Sequence, residues 1–115
     1  IPITPRIVDY QAHKLMISGA KVYYYQHGFH HSKIMMIDGE WSYVGSANLD
    51  SRSLRCDYEV NALIKDKEST SQLEKIFIRD RDNSCNQLTE EYWKKFSRSR
   101  KFQAWFFHLL LTRWV

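Results

Sequence analysis

Asp38-Gly39 stands between two apolar runs, residues 31–37 and 41–44, and this arrangement narrows what the chain can fold into more than any other. Asp-Gly takes the positive φ values of a tight reversal at little cost, so the pair predicts a β-hairpin folded at that point. On a strand, side chains two apart share a face, so His31 and Lys33 project together. Ser46 and Asn48 are likewise two apart, on the return side. Closing the hairpin gathers an imidazole, an ammonium, a hydroxyl and an amide around one pocket. That set suits a phosphodiester: one group titrating near neutrality, one fixed positive charge and two neutral hydrogen-bond donors.

The flanking pattern reads as α/β, a mixed sheet flanked by helices. Residues 6–18 predict a short helix with Ile7, Tyr10 and Ile17 near one face and Gly19 as its stop. Residues 21–25 form a β-rich run, and residues 26–30 a loop around Gly28. Residues 49–55 read as a loop or short helix. A further strand over 57–65 would put Tyr58, Val60, Ala62 and Ile64 on one face and Glu59, Asn61 and Leu63 on the other. Ser69 to Gln72 has the form of a capping box, followed by a buried stripe of Leu73, Ile76 and Phe77. Residues 80–86 are a polar break. The expected organisation is a catalytic portion over 1–89 and a basic helical tail over 90–115.

Composition separates the remaining classes. The chain has 115 residues, 43% hydrophobic and 15% aromatic, which suits one small folded domain or a piece of one and excludes a disordered chain. Cys56 and Cys85 are too few for a disulfide framework or a zinc site, and a reduced compartment is the simplest reading. No signal peptide opens the chain, and the absence of an initiator Met hints at a fragment. His30 should face the opposite way from His31 on a strand, and His13, His27 and His108 have no partner spacing and read as structural or exposed.

Charge is uneven. Residues 92–115 hold six Lys and Arg and no acid, while residues 1–91 are net negative. Trp93, Phe96, Trp105, Phe106, Leu109, Leu110 and Trp114 supply the apolar side of one or two amphipathic helices there. The most apolar stretch, residues 104–111, falls well short of the roughly 20 residues needed to cross a bilayer. Two readings stand for this tail: a helix lying in a membrane interface, and a helix packed on the core with a solvated basic face.

The full motif is His31-x-Lys33, four residues, Asp38, six residues, then Gly45-Ser46-x-Asn48. It resembles the HKD signature of the phospholipase D superfamily. The similarity extends to Gly19-Ala20-Lys21-Val22-Tyr23, Gly28-Phe29, Asn48-Leu49-Asp50-Ser51-Arg52-Ser53 and Tyr58-Glu59-Val60-Asn61-Ala62, as in the C-terminal half of bacterial cardiolipin synthases. Asp57 stands where those relatives commonly have asparagine.

The resemblance implies a partial phospholipase D-like half-domain that works without metal or cofactor. One histidine attacks phosphorus to form a phosphohistidine, and a second protonates the leaving oxygen. It implies that His31 is the acid/base of the second motif and that Lys33, Ser46 and Asn48 bind phosphate. Asp38 belongs to the motif, with a turn role favoured over a direct one. Glu59 is either the carboxylate that orients His31 or an exposed strand glutamate. The implied reaction is phosphatidyl transfer from phosphatidylglycerol at the inner membrane of a bacterium. A lone motif needs a missing N-terminal half-domain or a second copy of the chain. The alternatives are a homodimeric nuclease or phosphodiesterase acting on nucleic acid, and an inactive membrane-binding fragment.

Overall fold

The computed structural model describes residues 3–111, and of residues 51 and 52 the backbone alone; Arg113 and Trp114 lie outside the described residues. In chain order the elements are α1 (Ile3–Ile17), β1 (Tyr23–Tyr25), β2 (Lys33–Ile37), β3 (Trp41–Gly45), α2 (Ser51–Arg55), β4 (Asn61–Lys65), α3 (Lys67–Ser84), β5 (Cys85–Gln87), α4 (Glu90–Lys94) and α5 (Arg98–Leu111). They form two compact units: Tyr25–Cys85, and Ile1–Tyr24 with Asn86–Val115. The fold is mixed α/β, with β1 and β5 forming a two-stranded sheet and β2, β3 and β4 a three-stranded one.

In the central unit the hairpin forms where the Asp-Gly pair placed it. Asp38 has φ 54 and Gly39 φ 65, the positive values a tight reversal needs, and the Glu40 N–H donates to the Ile37 carbonyl at 3.2 Å. Pairing is antiparallel throughout, Lys33 with Gly45 and Ile37 with Trp41 across the first pair, Gly45 with Asn61 and Trp41 with Lys65 across the second. Both expected strands are shorter than the apolar runs. β2 starts at Lys33, not His31, because the ladder ends at the Lys33–Gly45 pair. β4 starts at Asn61, not residue 57, because the Val60 N–H donates to the Ser46 hydroxyl at 3.0 Å instead of to a ladder carbonyl.

Helix α3 packs on β2 and β3. Its N-cap is Asp66, not Ser69: the Asp66 carboxylate accepts from the Ser69 N–H at 2.7 Å, so the helix starts earlier than the capping-box pattern indicated. It also continues to Ser84, through most of the expected polar break. Thr70 is its fully buried residue, whereas Ile76 and Phe77 are about half exposed. At 1.5 Å per residue an 18-residue helix is about 27 Å long, more than three strands at about 4.8 Å spacing can cover.

In the other unit α1 packs against α5. It begins before residue 6 and buries Ile7, Asp9 and Ala12; Ile17 is exposed. Gly19, at φ 98, ends it: the Ala20 N–H reaches the Leu15 carbonyl and the Gly19 N–H the Met16 carbonyl, the two bonds of a left-handed helix stop. Buried Asp9 is held by Arg100, whose Nε and Nη2 each donate to it at 2.8 Å, and by the Tyr24 hydroxyl at 3.4 Å. The expected tail resolves into two helices, α4 and α5, capped by Thr89 and Ser97. They share their unit with α1.

Candidate active site

The strand register decides which motif residues meet. Lys33, Gly45 and Asn61 are aligned across the three strands. Segments leaving this end carry His31, two residues before β2, then Ser46 and Asn48 just after β3, and Glu59 just before β4. Asp38 lies in the turn at the opposite end, about 17 Å away along a five-residue strand at about 3.3 Å per residue. The structure thus gathers His31, Lys33, Ser46, Asn48 and Glu59 at one end of the sheet and leaves Asp38 outside that group.

Ser46 is the hub of the β3–β4 end. Its hydroxyl donates to Glu59 Oε2 in a short hydrogen bond, has the Val60 carbonyl at 3.4 Å as a second acceptor, and accepts from the Val60 N–H at 3.0 Å. The Ser46 N–H donates to the Val60 carbonyl at 3.0 Å. Asn61 holds the following residue, its Oδ1 accepting from the Ala47 N–H at 3.2 Å. Such close approach requires a residue without a side chain at position 45. A Cβ on Gly45 would sit 2.5 Å from the Val60 carbonyl oxygen and 2.7 Å from Asn61 Cα. Asn48 is exposed beyond this anchored stretch. The Asp50 carboxylate caps the next helix, accepting from the Ser53 N–H at 2.7 Å, and so fixes the far end of the segment that carries Asn48.

His31 is exposed, with its ring stacked on Phe29 at 5.3 Å between centroids. The Lys33 ammonium donates to the His31 carbonyl at 2.7 Å, which holds the positive charge beside the imidazole-bearing residue. His30 contacts Tyr25 instead, so the two adjacent histidines have different neighbours. Among the described residues no hydrogen bond joins Glu59 to His31; the carboxylate is engaged by Ser46. Two contributors escaped sequence reasoning. Asn61 carried a signal, since asparagine is disfavoured in a strand unless its amide has a local task. Phe29 carried one as well, in the Gly28-Phe29 pair of the family resemblance, without a role attached to its ring.

Chemically, this end of the sheet offers an accessible imidazole, an ammonium, a hydroxyl and an amide, with a carboxylate behind the hydroxyl. These are a proton carrier and donors for anionic oxygens. Among the described residues no cluster of three or more His, Cys, Asp or Glu could hold a metal ion.

Comparison with known proteins gives a consistent result. Residues 2–81 match the family described as cardiolipin synthase, PLD-like domain. Cardiolipin synthase 1 of Staphylococcus epidermidis (strain ATCC 12228 / FDA PCI 1200) is 47% identical over 89 residues, covering 77% of this chain and 18% of that protein. The cardiolipin synthases of Listeria monocytogenes serotype 4a (strain HCC23) and of Listeria innocua serovar 6a are each 45% identical over 92 residues, 80% of this chain and 19% of theirs. The chain therefore spans about a fifth of the length of the curated relatives it matches. No solved structure matches it.

Proposed function

The chain belongs to the cardiolipin synthase, phospholipase D-like family, and from that premise we propose that it carries the second half-site of a phosphatidyl transfer in which two phosphatidylglycerols yield cardiolipin and glycerol. The observation that carries the reading is the convergence of His31, Lys33, Ser46 and Asn48 on one end of the sheet, while Asp38 stays in the turn at the other.

In this proposal a histidine of a first motif attacks phosphorus, forming a P–N bond as the P–O bond to glycerol breaks. His31, protonated, gives its proton to the departing glycerol oxygen. It then takes the proton from the hydroxyl of the second phosphatidylglycerol as that oxygen attacks phosphorus and the P–N bond breaks. The proton returns to His31 and the cycle closes. General acid–base work of this kind is worth roughly 10²–10⁴-fold. Lys33 neutralises the phosphate oxygens, with Ser46 and Asn48 as further donors. Glu59 acts through Ser46, tying the ends of β3 and β4 into one rigid rim. The first histidine comes from another part of a longer polypeptide or from a second copy of the chain. The site of action is the inner membrane of a bacterium, reached from its surface by this part of the protein. Among the described residues no helix is long and apolar enough to cross a membrane.

The test is cardiolipin formation from phosphatidylglycerol vesicles by the wild-type chain and by His31→Ala. Turnover that disappears with His31 supports the proposal and means two copies complete the site. Where neither chain turns over, the half-site is read by binding. Glycerophosphoglycerol should shift the NMR signals of the His31 ring, and Lys33→Ala should weaken that binding. Cardiolipin formation that survives His31→Ala, cleavage of single-stranded DNA in place of lipid, or no shift at His31 would each overturn the reading.

A further inference from the structure

Helix α5 is apolar on two opposite faces. Arg100, Ala104 and Phe107 belong to the face turned towards α1, with Ala104 fully buried and Arg100 bonded to Asp9. Phe102, Trp105, Phe106, Leu109 and Leu110 recur at intervals of three and four residues, and all are exposed, Leu109 at 63% and Phe102 at 61%. At 3.6 residues per turn these five side chains span an arc of about 140° on the side away from Ala104. A helix that only packs on a core has a polar outer face; one that is apolar on both sides meets a second apolar phase.

Charge identifies that phase. Arg98 lies one helical turn before Phe102, at the head of the stripe, and is exposed together with Lys94 and Lys95. Residues 92–115 contain no Asp or Glu at all. The cores of protein interfaces are depleted in Lys, whereas a Trp/Phe/Leu stripe headed by Lys and Arg matches the boundary between acyl chains and anionic headgroups. We propose that the outer face of α5 is a bilayer-docking surface, lying in the plane of an anionic membrane with Phe102, Trp105 and Leu109 among the acyl chains and Arg98 at the lipid phosphates. The surface is independent of the phosphatidyl-transfer site and of its chemistry.

The experiment is co-sedimentation of the chain with vesicles of phosphatidylglycerol and phosphatidylcholine in equal parts, and with vesicles of phosphatidylcholine alone, with tryptophan emission followed in parallel. The wild-type chain should bind the anionic vesicles with a blue shift and bind the neutral ones at least several-fold more weakly. A Phe102→Gln/Leu109→Gln chain, whose replaced side chains are exposed, should keep its helix content by circular dichroism and lose binding by about tenfold or more. Arg98→Gln should weaken anionic binding by about fivefold at low salt, with the difference fading as salt rises. Failure of the wild-type chain to bind anionic vesicles at low salt, or undiminished binding by the double variant, would overturn the proposal. So would a vesicle-free dimer, seen by analytical ultracentrifugation, that the double variant abolishes, since the stripe would then be covered by a second copy.

Discussion

Gly45 is where the sheet and the proposed site constrain one another most tightly. Glu59, Val60 and Asn61 all reach across to Ser46 and Ala47, so the chain at 45 runs against the start of β4 with no room for a methyl group. Gly45→Ala should cost about 2–3 kcal/mol, visible as a fall in thermal midpoint, because behind the Asn61 amide, which could rotate, stand the Val60 carbonyl and Asn61 Cα, backbone atoms that cannot. Asp38 has a different constraint, a positive φ of 54 at the far end of the hairpin. Asp38→Asn should fold and retain any His31-dependent activity, since asparagine tolerates this conformation. Asp38→Val should lose about 1–2 kcal/mol of stability. Loss of activity in a stably folded Asp38→Asn chain would return Asp38 to the chemistry.

At the level of elements, helix α3 depends on its cap. The Ser69 side-chain hydrogen bond, with its backbone N–H, holds the Asp66 carboxyl below its ordinary value of 3.8. A carboxyl depressed in the folded state contributes stability that is present above its unfolded value and is lost as the pH falls through the folded one. Asp66→Ala should therefore lower the melting temperature at neutral pH, and the gap from wild type should close as the solution is acidified below the usual carboxylate range. Thermal melts at several pH values would check this; a gap independent of pH would assign the role of Asp66 to something other than its charge. Helix α5 depends on packing and not on a cap alone, with one face settled on α1 and the other left outward.

At the scale of the whole molecule, Asp9 and Arg100 join residues 91 positions apart and close the first helix onto the last. Asp9 is almost fully buried, so removing Arg100 leaves its carboxylate with the longer bonds from Arg6 at 3.3 Å and from the Tyr24 hydroxyl at 3.4 Å. Arg100→Ala should cost about 2–4 kcal/mol, and Arg100→Lys should recover only part, since one ammonium cannot replace two parallel N–H donors. Tyr24 belongs to the same cluster. Burial first, then the Asp9 carboxylate, pushes its hydroxyl up from 10.0 to about 12. The raised value means the fold favours the neutral phenol, so this contribution is whole below pH 10 and disappears between pH 10 and 12. Tyr24→Phe should flatten the alkaline loss of stability over that window, measured by urea unfolding; an unchanged slope would refute the assignment.

Local covalent constraints made part of this protein legible before any tertiary contact was known. Asp38-Gly39 sets a reversal because few other pairs take two positive φ values cheaply, and the spacing on either side then brings His31, Lys33, Ser46 and Asn48 to a common end. Gly19 as a helix stop and the class of the fold followed from the same kind of short-range rule. Strand ends did not, because they depend on which long-range partner captures each N–H: Ser46 takes that of Val60, so β4 starts at Asn61. The partner of Glu59 was likewise a matter of register, which brought Ser46 and not His31 within reach of the carboxylate. The pairing of α1 with α5 lay beyond sequence reading for the same reason. Asp9 and Arg100 each look like ordinary surface charges until folding removes the water around Asp9 and leaves Arg100 as its bidentate donor.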